Sequence, residues 1–419
     1  MPNQTPNLNS RKNKNILLLA AIVGVSFSLR APITSIGPMA GLIHDDLNVS
    51  NGFIGFITTL PLIAFAVSSP FISKFSGKLG LGRTMLAGLA VLTAGGILRA
   101  YTGIAGLLIG TALVGVGISV ANVLMPSIVK LKFPDRIGIV TGIYLTSVAV
   151  VASIGAGISY PLAMSGLGWK ATSMVWAMVA LLALFIWFPQ RGIDSHEEAQ
   201  LACAETDKKC DAFASARDAS GRIGGKAKNI WKSPLAWCIT IYFGLQSFNY
   251  YSLTAWIPSI LQSNGTSPVM AGYLALWFQL VGIPSSFLTP ILAGRVKNQF
   301  SIVAGACVAY FLGFGILALF HSVPATFIAL AFLANGGCAS FAWSMAMFSL
   351  KAANAEESVK LSGMTQSIGY LLSAIGPTLC GVIFDAVGTW TIVFILYFII
   401  TAVMIAAGIL ASKREKLFS

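Results

Sequence analysis

The stretch FSLRAPITSIGP at residues 27 to 38 places one arginine, Arg30, near the centre of an apolar run that extends from residue 16 to residue 43. An arginine at the centre of a bilayer costs about 2.5 to 3.5 kcal/mol on insertion scales. Two environments could offset this cost. One is a ligand or water-filled cavity, and the other is the set of backbone carbonyl groups that Pro32 leaves without a helical partner.

Arg30 has no evident counter-ion in the sequence. The chain contains 14 Asp and Glu residues, which lie at the ends of apolar runs, in a polar central segment or in the C-terminal tail. A mobile anion could therefore be the missing partner. The guanidinium is planar, permanently charged and rich in paired N–H donors, so it suits a small planar anion or a nitro group.

A second group of candidate residues lies 220 positions further along the chain. At this offset Tyr250 corresponds to Arg30, and Asn249 is its neighbour. The ring and hydroxyl of Tyr250 could hold a flat ligand and bond its edge, whereas the alternative is a packing tyrosine with a satisfied hydroxyl. Asn249 and Tyr251 are weaker candidates because they point in other directions around a helix.

The elements that must position these residues are membrane-spanning helices. The chain has 419 residues, of which 56% are hydrophobic and 10% charged, and its mean hydropathy of +0.80 excludes a water-soluble globular domain. A spanning helix needs about 20 mostly apolar residues. We predict twelve such spans, at 16 to 43, 51 to 73, 84 to 102, 104 to 129, 137 to 163, 171 to 189, 234 to 262, 268 to 293, 301 to 320, 324 to 350, 359 to 384 and 388 to 411.

The basic residues predict the orientation of these spans. Of the 27 Lys and Arg residues, 24 fall in the tails or in the loops of one side. Cytoplasmic loops carry such an excess, so both termini are predicted to be cytoplasmic. The same bias accounts for the net charge of +13 without invoking nucleic acid. The first run is too long for a signal peptide, and we interpret it as a retained helix.

The two halves of the chain match each other. An offset of 221 residues relates Gly142 to Gly363 and Trp169 to Trp390. Such a repeat predicts two six-helix bundles in pseudo-symmetric arrangement, with a ligand site between them near the bilayer midplane. The predicted divisions are an N-terminal tail (1 to 15), a first bundle (16 to 189), a cytoplasmic linker (190 to 233), a second bundle (234 to 411) and a C-terminal tail (412 to 419).

Several motifs resemble the major facilitator superfamily. The segment SKFSGKLGLGR keeps Lys78, Gly80 and Arg83 of that superfamily's signature between spans 2 and 3, although Gly77 replaces its acidic residue. The pieces SLR, TTLP, GILR, NVLMP, SPLAW and LSGMTQSIGYLL resemble, more narrowly, the cyanate and 2-nitroimidazole permease family. This second resemblance implies a small, flat substrate, either an inorganic anion or a nitrogen heterocycle.

The superfamily resemblance also implies which spans face the substrate. Spans 1, 4 and 10 line the central cavity in that fold, and spans 5 and 11 flank it. Substrate-binding candidates implied in this way, beside Arg30, are Asn122, Tyr144, Trp343, Gln366 and Tyr370. The alternative for each is a packing contact or a hydrogen bond between helices. Arg99, near the outer end of span 3, is expected to extend to the membrane surface.

We therefore predict a secondary active transporter in the cell inner (plasma) membrane that moves a small planar anion or polar nitrogen heterocycle by alternating access. A multidrug exporter or a non-transporting sensor of the same fold are the alternatives. The sequence has no nucleotide-binding loop or clustered metal ligands, so we expect no enzymatic activity, cofactor or metal. The expected partners are the substrate and membrane lipids, and no nucleic acid is expected. We expect the protein to be a monomer. Coupling to a proton, exchange of an anion and absence of coupling all stay open.

Overall fold

The computed structural model describes residues 8–49, 51–101, 103–193, 229–296 and 298–413. Within these ranges the chain is helical, and no strand occurs. The α-helices are α1 (Leu8–Ser28), α2 (Ala31–Thr34), α3 (Ala40–Leu47), α4 (Asn51–Leu79), α5 (Leu81–Tyr101), α6 (Gly103–Lys132), α7 (Ile137–Leu162), α8 (Gly168–Trp187), α9 (Pro234–Ser263), α10 (Pro268–Val281), α11 (Ile283–Arg295), α12 (Phe300–Leu319), α13 (Val323–Leu350), α14 (Ala355–Val387) and α15 (Thr391–Lys413).

These helices form twelve spanning segments. Ten stretches are long and apolar enough to cross a membrane, and one of them, Pro134–Gln190, contains both α7 and α8. Helix α9 has 30 residues but is absent from the ten, because polar and aromatic side chains occupy its middle. Separating α7 from α8 and adding α9 gives twelve, so the predicted all-α fold with twelve spans is confirmed.

Two of the spans are broken rather than continuous. In span 1 the helix α1 ends at Ser28, and α2 starts after Arg30 with Pro32 in its first turn. Proline lacks an N–H and cannot continue the hydrogen bonds of the preceding helix, which accounts for a break here. In span 8 the break falls at Gly282, where an added Cβ would lie 2.5 Å from the sulfur of Cys338. Glycine there lets span 8 pack closely against α13.

An even number of spans puts both ends of the described chain on one side of the bundle. We call this the terminal side, and the opposite side the distal side. On the distal side an ion pair joins Lys170 Nζ to Asp46 Oδ2 at 2.8 Å, and Trp169 Nε1 donates to the same oxygen. The hydrogen bond from Lys170 lowers the pKa of Asp46, so this carboxylate stays charged at neutral pH while it ties α3 to α8.

The helices pack as two sets. In the first set α5 packs most extensively with α6, and in the second α9 packs with α14 and α12 with α13. The sets meet mainly along two helix pairs, α4 with α14 and α7 with α11. This packing agrees with two six-helix bundles. The predicted linker at 190 to 233 lies for the most part outside the described residues, so that boundary stays a prediction.

Candidate functional site

A cavity of about 780 Å³ lies between the two sets of helices. Its first wall comes from the break in span 1, which supplies Arg30 and Thr34, and from the distal halves of α4 and α7. The second wall comes from the middle and distal parts of α9, α13 and α14 and from span 8. Lining residues close to the distal side, such as Phe56 and Thr254, are exposed. The cavity therefore opens toward the distal side.

Arg30 is partly buried at this cavity. Its guanidinium carbon lies 5.8 Å from the ring centroid of Tyr251 and 6.0 Å from that of Phe341, which is the range of a cation–π contact. None of the ion pairs found among the described residues includes Arg30. The guanidinium thus lies beside two aromatic rings, without a neutralising carboxylate among the residues that the structure describes.

The other polar groups of the cavity are neutral. The hydroxyl of Tyr250 donates to Gln279 Oε1 at 2.8 Å, and its ring stacks on Phe278 at 5.9 Å. Gln246 Nε2 donates to a backbone carbonyl of α13 at 3.2 Å. Arg30 is the single charged side chain among the described lining residues. The part of the chain that the structure describes also holds no group of three His, Cys, Asp or Glu side chains placed to bind a metal.

Of the residues that the sequence singles out, Arg30 and Tyr250 line the cavity together. Asn249 and Trp343 do not. The side-chain amide of Asn249 donates to Thr401 Oγ1 on α15 at 3.3 Å. The indole of Trp343 donates to Gln299 Oε1 at 2.8 Å, close to the terminal side. Both side chains are fully buried, and both hold neighbouring helices together in this conformation.

The remaining predicted residues lie at or below the floor of the cavity, toward the terminal side. Gln366 Nε2 donates to the backbone carbonyl of Asn122 at 3.1 Å, which joins α14 to α6. Tyr144 and Tyr370 are each 1% exposed, and their hydroxyls have no hydrogen-bond partner among the described residues. The ring centroid of Tyr370 lies 6.4 Å from that of Tyr251, the residue that flanks Arg30.

Of the two residues that contact Arg30, Phe341 is missing from the predicted set, and Tyr251 is only a weaker candidate beside Tyr250. The signal for Tyr251 was present, because the mid-span run QSFNYY at 246 to 251 is too polar for a helix that faces lipid. Phe341 carries no such signal, since a phenylalanine in an apolar span is ordinary. Its role depends on the packing of α13 against the break in span 1.

Contacts between the two sets of helices close the terminal side of the cavity. Ser349 Oγ donates to the carbonyl of Pro126 at 2.6 Å, and Lys130 Nζ donates to the carbonyl of Ser349 at 2.9 Å. Ser367 Oγ donates to the carbonyl of Ala66 at 2.6 Å. Each bond crosses from one set to the other, so together they form a seal between the cavity and the terminal side.

Close backbone packing between α7 and α11 completes this seal. A Cβ added at Gly142 would lie 2.7 Å from the carbonyl oxygen of Phe287, and one at Gly138 would lie closer still to the carbonyl oxygen of Pro290. Contacts below about 3.0 Å with backbone atoms force a helix to move. Glycine at these positions is therefore what allows the two helices to touch.

The position of Arg99 corrects the sequence-based expectation. Its side chain is 1% exposed, and it does not extend to the membrane surface. Instead Nη1 donates to the carbonyl of Pro32 at 2.7 Å, whereas Nε and Nη2 have no partner within the part of the chain that the structure describes. The broken span offers a buried acceptor that a continuous helix would not have. Arg99 thereby fixes α2 against α5 and supports the backbone that carries Arg30.

Replacing Arg99 with methionine should make the backbone at the break in span 1 more mobile without unfolding the protein. A hydrogen bond to a charged group contributes about 1.5 to 3 kcal/mol, so its loss should raise amide hydrogen exchange at residues 29–36 by roughly tenfold or more. The melting temperature should stay close to the wild-type value, because methionine fills the space of a poorly paired charge. Hydrogen-exchange mass spectrometry checks this, and Arg99→Lys should fall between the two. Unchanged exchange in Arg99→Met would contradict the supporting role.

Twelve spans around a central cavity, open on one side and sealed on the other, are the architecture of a membrane transporter. Residues 16–377 match the sequence profile of the Major Facilitator Superfamily. The chain belongs to this superfamily, and it is a multi-pass membrane transporter rather than an enzyme. The fold and the class predicted from the sequence are confirmed.

The chain also resembles individual transporters over nearly its full length. It is 39% identical over 99% of its length to the uncharacterized transporter YycB of Bacillus subtilis, of which 98% is covered. It is 32% identical over 97% of its length to the 2-nitroimidazole transporter of Escherichia coli, again with 98% covered. The cyanate transport protein CynX of Escherichia coli is 25% identical over 89% of this chain and 91% of its own length. These matches confirm the resemblance to the cyanate and 2-nitroimidazole permeases.

Solved structures of sugar transporters share the fold. The proton:xylose symporter XylE superposes with a TM-score of 0.72 at 13% identity, covering 94% of each chain. The transporter FucP, in a structure described as the outward conformation, superposes with a TM-score of 0.71 at 13% identity, covering 96% of this chain and 100% of its own. At this identity the likeness concerns the fold alone.

Proposed function

We propose that the protein is a secondary active transporter that moves a small planar anion or a polar nitrogen heterocycle by alternating access, with Arg30 as the substrate anchor. The observation that supports this most is the charge of the cavity. Among the described lining residues one guanidinium lies beside two aromatic rings, and none of these residues is a carboxylate. A planar anion or nitro group can accept paired hydrogen bonds from its N–H groups.

The same geometry suits the substrates named for the relatives. Cyanate is a small anion, and paired hydrogen bonds from the guanidinium would supply most of the contacts required to bind it. A nitroimidazole offers nitro oxygens to Arg30 and a flat ring to the aromatic side chains of Tyr250, Tyr251 and Phe341. Its ring nitrogen and N–H can bond to neutral groups such as Gln279 and Gln246, which line the same cavity.

We further propose that the terminal side is cytoplasmic and that the membrane is the cell inner membrane. The excess of Lys and Arg on that side supports the orientation. The distal opening of the cavity would then correspond to an outward-facing conformation. In this orientation an inside-negative potential opposes anion uptake by about 2.3 kcal/mol per charge per 100 mV. Anion exchange, a protonated substrate and uncoupled movement of a neutral substrate are the three compatible modes, and we expect a monomer to be sufficient.

Flux measurements on the purified full-length protein in liposomes test the proposal. We expect saturable uptake of radiolabelled 2-nitroimidazole or cyanate, and faster uptake when the liposomes are preloaded with the same unlabelled compound. Accumulation of a lipophilic cation instead would favour the multidrug exporter. Binding of either probe without any flux would favour the sensor.

The thiol of Cys338 reports directly on the open side of the cavity. It is partly exposed and lines the cavity, whereas Cys307 and Cys380 are buried. The three cysteines not yet mentioned would be replaced by serine, which leaves Cys338 and the two buried cysteines in place. In that variant we expect a membrane-impermeant maleimide to label Cys338 in intact cells. Saturating 2-nitroimidazole should slow the labelling by about tenfold, because bound ligand excludes the reagent. Labelling in inverted vesicles alone would contradict the proposed orientation of this conformation. The three serine substitutions are Cys203→Ser, Cys210→Ser and Cys238→Ser.

A further inference from the structure

Several buried polar atoms among the described residues have no hydrogen-bond partner, and three of them lie next to the floor of the cavity on the terminal side of Arg30. They are the hydroxyls of Tyr144 and Tyr370 and the side-chain oxygen of Gln366. Each of these side chains is at most 1% exposed. An unpaired buried polar group is unfavourable, and each such group in a native protein calls for an explanation. In a transporter one explanation is a second conformation in which these atoms gain partners.

The three groups lie between the floor of the cavity and the seal. Tyr251 flanks Arg30 at 5.8 Å, and the ring of Tyr370 lies 6.4 Å from the ring of Tyr251. Gln366 precedes Tyr370 by four residues on α14, so it lies one turn closer to the terminal side on the same face. Tyr144 directly precedes Leu145, which lines the cavity, so it lies on α7 at the terminal edge of the cavity wall.

These residues also come from both sets of helices. Tyr144 belongs to the first set, and Tyr370 and Gln366 belong to the second. The ring of Tyr370 packs on Phe65 of α4 at 4.8 Å, and Gln366 bonds to the carbonyl of Asn122 on α6. A rocking motion that opens the terminal side must separate these contacts. The same motion would uncover the three unpaired atoms beside Arg30.

We propose that Tyr144, Tyr370 and Gln366 form a second substrate subsite, closed in the present conformation, on the release path toward the terminal side. The two hydroxyls donate to an oxygen of a small planar anion or nitro group, and the Gln366 oxygen accepts from a ring N–H. The substrate passes from Arg30 to this subsite as the two sets of helices rock. The chemistry of the ligand rests on the proposed function, whereas the location of the path rests on the unpaired atoms.

Removing the two hydroxyls tests the subsite with little change in shape. In the double variant Tyr144→Phe and Tyr370→Phe, we expect the Kd of 2-nitroimidazole in the distal cavity to stay within about twofold of wild type. The turnover number in liposomes should fall by about tenfold or more, since loss of a single hydrogen bond to a charged or strongly polar group has an effect of that order. Turnover within twofold of wild type would overturn the proposal. Tyr310→Phe is the matched control, because Tyr310 is also buried with an unpaired hydroxyl but belongs to α12.

A second measurement needs no substrate. In a protein with its six native cysteines replaced, Gln366→Cys introduces one thiol into the proposed path. We expect small thiol reagents to reach it. They should react about tenfold faster in a background with Gly138→Leu, because a side chain at residue 138 would clash with the backbone of α11 and favour separation of α7 from α11 on the terminal side. No reaction in either background would overturn the path. If neither 2-nitroimidazole nor cyanate is carried but this thiol reacts as expected, the proposed substrate class fails and the location of the release path is retained.

Discussion

Replacing Arg30 with alanine should raise the Kd for 2-nitroimidazole or cyanate by at least about 100-fold. Two hydrogen bonds from a charged group contribute about 1.5 to 3 kcal/mol each, and every 1.4 kcal/mol is a factor of ten. The fold should survive, because Arg30 is only partly buried and takes part in none of the ion pairs among the described residues. The measurement is equilibrium binding to purified protein, with a thermal melt of the same samples.

Arg30→Lys separates charge from shape in this experiment. Lysine keeps the positive charge but presents a point charge instead of a planar fork, so we expect a loss of about tenfold rather than 100-fold. Equal binding by the alanine variant and the wild type would place the anchor elsewhere, with Tyr250 and Gln279 as the next candidates. A large drop in melting temperature, with the ligand response kept, would instead assign Arg30 a structural role at the break in span 1.

Much of the fold could be predicted because lipid imposes simple rules on sequence. Twelve apolar runs and the one-sided basic residues define the spans, and the internal repeat predicts the two bundles. The breaks in spans 1 and 8 are harder to predict from the sequence. Pro32 signals unpaired carbonyls, but nothing in the sequence states that Arg99, 67 residues away, supplies the donor to one of them. Contacts of that kind depend on how α5 packs behind α2.

The site was only partly predictable for two physical reasons. Rotation of a helix about its axis decides whether Asn249, Tyr250 or Tyr251 faces the cavity, and hydropathy alone does not fix that rotation. The conformation also matters. Asn122 and Gln366 lie in the seal here, and a side chain in the seal of one state can line the cavity of the other. Their roles as substrate contacts therefore stay predictions.

The second prediction with a large expected effect is a substitution in the seal, at Gly138. Leucine at this position would bring a side chain against the backbone of Pro290 and Ile291, which cannot move independently of α11. Overpacking of this kind costs about 1 to 3 kcal/mol. The protein can avoid the cost by separating α7 from α11, which opens the terminal side. We therefore expect Gly138→Leu to shift the population toward terminal-open conformations.

Two readouts follow from such a shift. Turnover in liposomes should fall by about tenfold to 100-fold, because a transporter must return to the distal-open state in every cycle. Labelling of Cys338 from the distal side should slow by a similar factor. Gly157→Ala on the same helix is the matched control, since an added Cβ there has nothing within 4 Å.

The pair of glycine variants distinguishes a shift in conformation from simple damage. A misfolded protein would lose ligand binding and its cooperative melt, whereas a shifted one keeps both and gains reactivity on the terminal side. Wild-type turnover together with unchanged labelling of Cys338 in Gly138→Leu would show that contact between α7 and α11 does not close the cavity. The seal would then have to rest on the other contacts that cross between the two sets, in which Ser349, Lys130 and Ser367 donate to backbone carbonyls.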